Sequence, residues 1–301
     1  MTTSIDSIFI RDVSMSLHTT FRIGGPARFF MQATSADEVV AAVAVARTSG
    51  CAWRVIGEGS NLLADDGAID KAIIAFIDTS SPRLTDDDHI VVSGGAPLHT
   101  LVRFCEHCSC AGLAKLIGIP GTVGGAIAGH AGAYGVTVAE GLESVRVMDR
   151  EGTIATVRAK ELSFDYRTSR LTHSGEIVLE ATYRLPKSDR ANITREIDDT
   201  LADRRTKHPD YLRWPTAGSY FKNLPPLPGE PRRLAAGKVL DEVDAKKLRV
   251  GDAGVWHQHA NIVVNYGHAT ARDVKLLTET MAQRVHERFG IVLEPEVQYL
   301  I

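Results

Sequence analysis

The sequence predicts an α+β protein of two domains, and three observations carry that expectation. The chain has 301 residues, and at roughly 100–200 residues per domain that length suits two. Helical patterns and short apolar runs alternate as far as Pro186. Beyond it the character changes to a polar helix, a proline-rich loop and a capped apolar-striped helix near the end. The division is therefore expected at 186–190, giving domains 1–188 (with an internal boundary near 80) and 189–301.

In chain order, Ser35 with Glu38 three positions on has the pattern of a capping box. It opens a helix to about Ser49, with Gly50 as its stop. Trp53–Ile56 is a short apolar strand that runs into Gly57-Glu58-Gly59-Ser60-Asn61. Further strands are predicted at 73–77, Ile90–Ser93, 145–148 and Ile177–Tyr183. Between them, Leu98, Leu101, Val102, Cys105 and Cys108 recur at helical spacing and predict a helix over 97–110. A second helix is expected over 193–207, followed by His208-Pro209 and an irregular stretch to Ser219. Pro225, Pro226, Pro228 and Pro231 mark an exposed loop, because proline neither donates to a sheet nor continues a helix. Thr270 and Asp273 cap a helix with Val274, Leu277, Met281, Val285 and Phe289 on one face, and Gly290 ends it. Two short strands are expected to close the chain.

Apolar residues at 44% and charged residues at 24% describe a globule with a sizeable core, which excludes intrinsic disorder. A formal net charge of −3 gives no basic surface for a phosphate backbone, so no nucleic-acid partner is expected. The longest apolar runs fall far short of the ~20 residues that cross a bilayer. The first ten residues lack a basic start and carry Asp6, so no secretory signal is read and a cytoplasmic location is expected.

Cys105, Cys108 and Cys110 crowd together, with His99 and His107 nearby. Zinc sites normally draw ligand pairs from two chain segments, and no second pair follows. The set is read instead as small buried hydrophobes on a helix stripe, so no metal is expected. Seven of the 26 glycines fall between Gly118 and Gly135. Without a Cβ, backbone N–H groups approach an anion such as a diphosphate closely. Tight turns and close helix–strand packing explain glycines equally well. No P-loop pattern is present, and Leu62 stands where a dinucleotide fingerprint needs its third glycine. Spacing alone reaches only nucleotide or dinucleotide binding.

Six strings extend that reading: Thr19-Thr20-Phe21-Arg22-Ile23-Gly24-Gly25-Pro26-Ala27, Gly57-Glu58-Gly59-Ser60-Asn61-Leu62, Gly118-Ile119-Pro120-Gly121-Thr122-Val123-Gly124-Gly125-Ala126, Phe164-Asp165-Tyr166-Arg167-Thr168-Ser169, Ala217-Gly218-Ser219-Tyr220-Phe221-Lys222-Asn223 and Leu293-Glu294-Pro295-Glu296-Val297. In order and spread they resemble the UDP-N-acetylenolpyruvoylglucosamine reductase family. The resemblance implies an FAD-binding fold of the vanillyl-alcohol oxidase type, two α+β subdomains, with a C-terminal α+β substrate domain. It implies non-covalent FAD, NADPH as co-substrate, and a UDP-sugar substrate, UDP-N-acetylglucosamine enolpyruvate. Hydride would reach C3 of the enolpyruvyl group from flavin N5 and a proton C2, giving UDP-N-acetylmuramate for cell-wall precursor synthesis. It implies no protein partner.

The same resemblance assigns residues. Ser219 matches the serine that protonates C2, Arg167 the arginine that grips the substrate carboxylate, and Glu296 the assisting carboxylic acid. Without it, a serine after Ala-Gly reads as a turn or cap, and the other two as surface charges. Tyr166, Arg204, Lys207, Asn223 and His259 match substrate-binding positions. Gly57, Glu58, Gly59, Ser60, Asn61, Leu62, Gly121, Thr122, Gly124 and Gly125 match the flavin-binding loops. His130 replaces a common asparagine, and no insertion carries the tyrosine that closes over substrate in one subclass. An oxygen-using oxidase of the same flavin superfamily and a non-catalytic flavin binder are the rival readings.

Overall fold

The computed structural model describes residues 4–301. It divides into two compact units, each interrupted in sequence. Of the described residues, the first holds 4–11, Phe29–Glu58 and Lys71–Arg204; the second holds Asp12–Arg28, Gly59–Asp70 and Arg205–Ile301.

The chain opens with β1 (Ile10–Ser14), β2 (Pro26–Ala33), α1 (Ala36–Thr48), β3 (Trp53–Ile56), β4 (Leu62–Ala64) and β5 (Ile69–Phe76). Four of these strands make a sheet in the order β1-β2-β5-β3, with β3 and β5 parallel. Ser35 caps α1 by accepting from the Glu38 N–H at 3.2 Å, while the Glu38 carboxylate accepts from the Thr34 N–H at 2.6 Å. Val39, Ala42, Val43 and Ala46, at 3–4 spacing, pack with Ile74 and Phe76 in one core.

Next come β6 (Arg83–Leu84), β7 (Ile90–Ser93), α2 (Leu98–His107), α3 (Val123–Ala128), β8 (Gly132–Ala133), β9 (Val136–Thr137), β10 (Leu142–Met148), β11 (Ile154–Arg158), α4 (Arg170–Ser174), β12 (Ile177–Tyr183) and α5 (Arg190–Lys207). A five-stranded antiparallel sheet runs β11-β10-β12-β7-β6. Its inward Val145 and Val147 meet Leu98, Leu101, Val102 and Cys105 of α2. Ile193 and Ile197 of α5 belong to this same core. That burial explains why the compact units divide at 204/205 where the sequence suggested 188/189: the helix after the compositional break packs backwards.

α2 stops at His107, short of the expected 110. Ser109 turns left-handed (φ 56°), and the Cys110 N–H reaches the Cys105 carbonyl at 2.8 Å while the Ser109 N–H reaches Glu106. This is the Schellman termination, in which the flanking side chains touch. Cys105 and Cys110 are buried and Cys108 half-buried, all as free thiols. Burial, with Cys110 and Cys108 beside it, pushes the Cys105 thiol up to about 12. Among the described residues no group of three or more His, Cys, Asp or Glu converges as a metal ligand set.

The second unit adds β13 (Thr216–Ser219), β14 (Leu224–Pro226), β15 (Arg233–Leu234), α6 (Ala236–Glu242), β16 (Arg249–Val250), β17 (Ala253–Trp256), β18 (His259–Asn265), α7 (Ala271–Phe289) and β19 (Gln298–Leu300). Its sheet, β13-β18-β17-β16, was not expected from the sequence. Val274, Leu277, Met281 and Val285 of α7 and Val239 and Leu240 of α6 pack with Val255 and Val263 of the sheet. Phe289 lies off this stripe, 39% exposed. Phe21, Ile23 and Leu63 join the same core, which is why residues 12–28 and 59–70 belong here. The proline-rich stretch is an exposed hairpin, with Leu224 paired to Leu234. The chain closes on one strand, β19, parallel to β4, and an isolated Phe221–Pro295 bridge in place of a second. No helix among the described residues is long and apolar enough to cross a membrane.

α7 starts with unusual support. Thr270 and Asp273 form the expected capping box, and the Asp66 carboxylate accepts from the Ala271 and Arg272 N–H groups at 2.7 and 3.0 Å. An anion at a helix N-terminus also opposes the helix dipole favourably. Asp66→Ala is expected to destabilise the protein by about 1 kcal/mol, the usual size of a lost cap. The measurement is the urea unfolding midpoint; an unchanged midpoint would mean that the Thr270 box is sufficient.

Candidate active site

Within the first unit, Gly57 and Glu58 lock onto the glycine-rich loop around Gly121. A Cβ on Gly57 would stand 2.4 Å from Thr122 Oγ1, so only glycine allows the approach. The Glu58 carboxylate accepts from the Gly121 N–H at 2.7 Å. Glu58 thus ties one loop to the other through a backbone donor. Thr122 is the N-cap of α3. The Gly124 N–H donates to the Gly94 carbonyl at 2.7 Å and the Val123 N–H to that of Ala96 at 2.8 Å. Gly124 therefore serves close packing on the β7–α2 connection, the alternative the glycine-rich segment left open. The Gly125 N–H has only a long 3.4 Å bond to Thr122 Oγ1, and the space its Cβ would fill holds only that oxygen, at 3.5 Å. Thr122 is buried, whereas Gly125 is exposed, so its weakly engaged N–H is the donor at this edge that fits an anionic group such as the flavin diphosphate.

A second cluster in the same unit centres on Arg167. Asp165 and Thr168 exchange backbone hydrogen bonds of 3.1 and 3.2 Å, leaving Tyr166 and Arg167 at the tip of a two-residue turn. Arg167 is left-handed (φ 55°), as is His130 (φ 45°). Such backbone costs a side-chain-bearing residue roughly 1–2 kcal/mol and tends to concentrate at functional sites. The Arg167 guanidinium donates to the carbonyls of His130 at 3.3 Å and Gly132 at 2.9 Å. It also lies over the Tyr166 ring at 5.5 Å. His130 Nδ1 donates to the Asp165 carbonyl at 2.7 Å, and its ring stacks on Phe164 at 4.6 Å. A carbonyl only accepts, so Nδ1 of His130 carries a proton. Arg204, near the end of α5, donates to the Gly118 carbonyl at 3.1 Å. Burial opposes its charge, while Tyr134 and Asp203 beside it favour it. Tyr134 in turn donates to Asp203 at 2.8 Å.

In the second unit Ser219 ends β13 opposite Ile262 of β18. The register slips between Thr216 and Ser219, and Gly218 is left-handed there (φ 77°). Such a bulge re-aims the side chain that follows it. Immediately beyond, the Tyr220 carbonyl accepts from the Glu296 N–H at 2.7 Å. The fold thereby brings the Ser219 and Glu296 segments side by side. Asn61 grips the second of them: Nδ2 donates to the Glu296 carbonyl at 3.0 Å, and its own carbonyl accepts from the Gln298 N–H at 3.0 Å. Glu294 is different, an exposed carboxylate paired with Lys222 Nζ at 3.3 Å.

The remaining sequence-derived positions are spread through this unit. Gly59 lies against the His18 carbonyl, which a Cβ would meet at 2.3 Å. Ser60 is half-buried, and Leu62 is buried in β4. Asn223 Oδ1 accepts from the Ala236 N–H at 3.1 Å, capping α6 from a distance. Lys207 is exposed at the end of α5. The His259 ring lies 5.8 Å from that of His208. Its Nδ1 accepts from the Asn261 N–H at 3.2 Å, and burial lowers its pKa, so the ring is neutral with its proton on Nε2.

Two family models match. Residues 27–158 match an FAD binding domain, and residues 208–300 match the UDP-N-acetylenolpyruvoylglucosamine reductase C-terminal domain. A reductase of that name from Heliobacterium modesticaldum is 37% identical over 286 residues, covering 95% of this chain and 88% of the relative. The chain belongs to the UDP-N-acetylenolpyruvoylglucosamine reductase family. Another member, from Lachnoclostridium phytofermentans, is 34% identical over 290 residues, covering 95% of this chain and 91% of its own. The crystal structure of the reductase from Thermus caldophilus superposes with a TM-score of 0.80 at 31% identity, covering 98% of this chain and all of that one. Against this family background, the sequence reading passed over Asn261, whose side chain and backbone bond to Phe221, Tyr220 and His259. Its available signal was a lone amide inside the apolar run Ala260–Val264, since a polar group buried in a strand is held by hydrogen bonds.

Proposed function

We propose that Arg167, Ser219 and Glu296 perform the chemical roles of this family's reaction. The protein is an FAD-dependent oxidoreductase that uses NADPH to reduce the enolpyruvyl group of UDP-N-acetylglucosamine enolpyruvate in peptidoglycan synthesis. FAD held by this chain would supply the hydride chemistry, taking hydride from NADPH and passing it to C3 of that group. The chain's own residues supply the rest. Hydride addition leaves negative charge on C2 and the adjacent carboxylate, so donors and cations must stand there. Arg167 offers a rigid fork for the carboxylate, anchored by two backbone carbonyls. Ser219 delivers the proton to C2, which a weak acid manages because its target is an enolate. Glu296 assists beside it.

One observation carries this reading: the 2.7 Å bond from the Glu296 N–H to the carbonyl of Tyr220, the residue after Ser219. It supports a shared role for two residues far apart in sequence. Gly121, Thr122, Gly124, Gly125 and residues 57–62 are assigned to FAD, with Gly125 offering its N–H and Glu58 holding the loops together. Tyr166, Arg204, Lys207, Asn223 and His259 are assigned to the UDP-sugar, the first compact unit is proposed as the core of the flavin domain, and the cytoplasm is the proposed location. The purified protein should be yellow, bleach with NADPH, and regain its colour on adding the enolpyruvyl substrate. Rapid oxygen consumption without that substrate would favour an oxidase instead.

Flavin attachment is a separate expectation. His130 Nδ1 is occupied by the Asp165 carbonyl, and the proposed attachment is non-covalent. Acid denaturation should release all the colour into the supernatant; colour left on the pellet would point to His130.

Arg167→Lys should lose nearly as much turnover as Arg167→Ala. An ammonium cannot span two carbonyls and a carboxylate with the planar fork that Arg167 presents. Near-normal kcat/KM in the lysine variant would reduce the role of Arg167 to bulk charge.

A further inference from the structure

The Ser219 strand is gripped from both sides just past the serine. On one side lies the Glu296 segment, which donates to the Tyr220 carbonyl; on the other lies Asn261. Asn261 is only 2% exposed, and every polar group it carries is engaged. Its carbonyl accepts from the Tyr220 N–H at 2.8 Å. Its Oδ1 accepts from the Phe221 N–H at 2.9 Å, and its Nδ2 donates to the Phe221 carbonyl at 2.8 Å. Its own N–H donates to His259 Nδ1 at 3.2 Å.

This pattern has a reason. The bulge at Gly218 throws β13 out of step with β18, and after the Tyr220 N–H reaches the Asn261 carbonyl the next contacts, at Phe221, run through the Asn261 side chain instead of backbone to backbone. An amide side chain carries one donor and one acceptor in peptide-like geometry and replaces the missing rung. The same residue holds the His259 ring with Nε2–H as its donor. The Gly218 bend is held by its N–H, which donates to Thr216 Oγ1 at 3.1 Å, and nothing packs within 4 Å of the place its Cβ would occupy.

We propose that Asn261 is a positioning residue for proton delivery, fixing Ser219 against Glu296 by clamping Tyr220 and Phe221. The inference rests on the proposed role of Ser219. Asn261 touches neither reacting atoms nor cofactor; it acts through the two residues that follow the serine.

The test is single-turnover kinetics on the flavin-loaded enzyme with Asn261→Ala and Asn261→Asp, alone and combined with Ser219→Ala. Asn261→Asp keeps the acceptor for the Phe221 N–H and serves if the alanine variant folds poorly, with NADPH bleaching as the check on folding. Both variants should bleach with NADPH at close to the normal rate. Reoxidation by substrate should slow roughly 10- to 100-fold, the scale expected of a small misplacement of a reacting group. Adding either change to Ser219→Ala should slow reoxidation no further, because the serine it positions is gone. Normal reoxidation in Asn261→Ala beside a slow Ser219→Ala overturns the inference alone. So does an additive loss in the double variant, or an equal loss in both half-reactions, which would mark a merely structural residue. Normal reoxidation in Ser219→Ala overturns the serine's role and this inference with it.

Discussion

Ser219→Ala should separate the two halves of the catalytic cycle. NADPH should still bleach the flavin at close to the normal rate, because hydride transfer to FAD needs no proton from Ser219. Reoxidation by the enolpyruvyl substrate should fall by roughly 10²–10⁴-fold, the range for a positioned general acid. The structure adds a reason to expect a clean result. Ser219 is half-buried at the end of β13, and the strand is held at Thr216, Tyr220 and Phe221 instead of through the serine hydroxyl. Removing that oxygen should leave the fold intact. Stopped-flow absorbance at the flavin band measures both halves, and equal losses in the two would make Ser219 a structural residue.

The second large effect concerns two glutamates two positions apart. Glu296→Gln should slow substrate-driven reoxidation about 10²-fold or more, the scale of a lost catalytic acid. Glu294→Gln should change it by less than about tenfold, under ~1.4 kcal/mol of barrier. Spacing along an extended chain cannot choose between them, since both would share a face. The proposed role of Glu296 agrees with the packing: Glu294 is spent on an exposed ion pair with Lys222, and such pairs contribute little. Glu296 is half-buried, its backbone fixed by Tyr220 and Asn61. A dead Glu294→Gln with an active Glu296→Gln would reverse the assignment.

Strong local signals were legible in the sequence. Trp53–Ile56, Ile90–Ser93 and Ile177–Tyr183 form strands over the predicted residues, and α7 runs from its Thr270 cap to Gly290 as expected. The α+β class and the reductase family were legible for the same reason, because turn chemistry and motif residues are written locally. The sheet β13-β18-β17-β16 was not. Its central hairpin turns at His257-Gln258 without glycine or asparagine, and β18 is buried on both faces, so neither turn signal nor alternation marks it. At the candidate site the glycines were visible but their division of labour was not. Gly124 spends its N–H on Gly94, a long-range contact that composition cannot reveal. Asn261 escaped because its role depends on a bulge in another strand. The position of the compact units was illegible because a boundary read along the chain assumes that each unit is continuous.

That discontinuity bears on how the protein is made. Three pieces build the second unit, and Phe21, Ile23 and Leu63 wait in its core for partners that leave the ribosome last. Asn61 and Glu296, bonded in the finished fold, are 235 positions apart. At about 5–20 residues per second of synthesis, the early segments stay without their core for many seconds, and loop closure over such separations is slow. Nascent chains stalled before β19 should remain open to protease at residues 12–28 and 59–70 while Trp53–Ile56 is already protected. A fragment beginning at residue 189 would leave out three of the side chains that its own core needs.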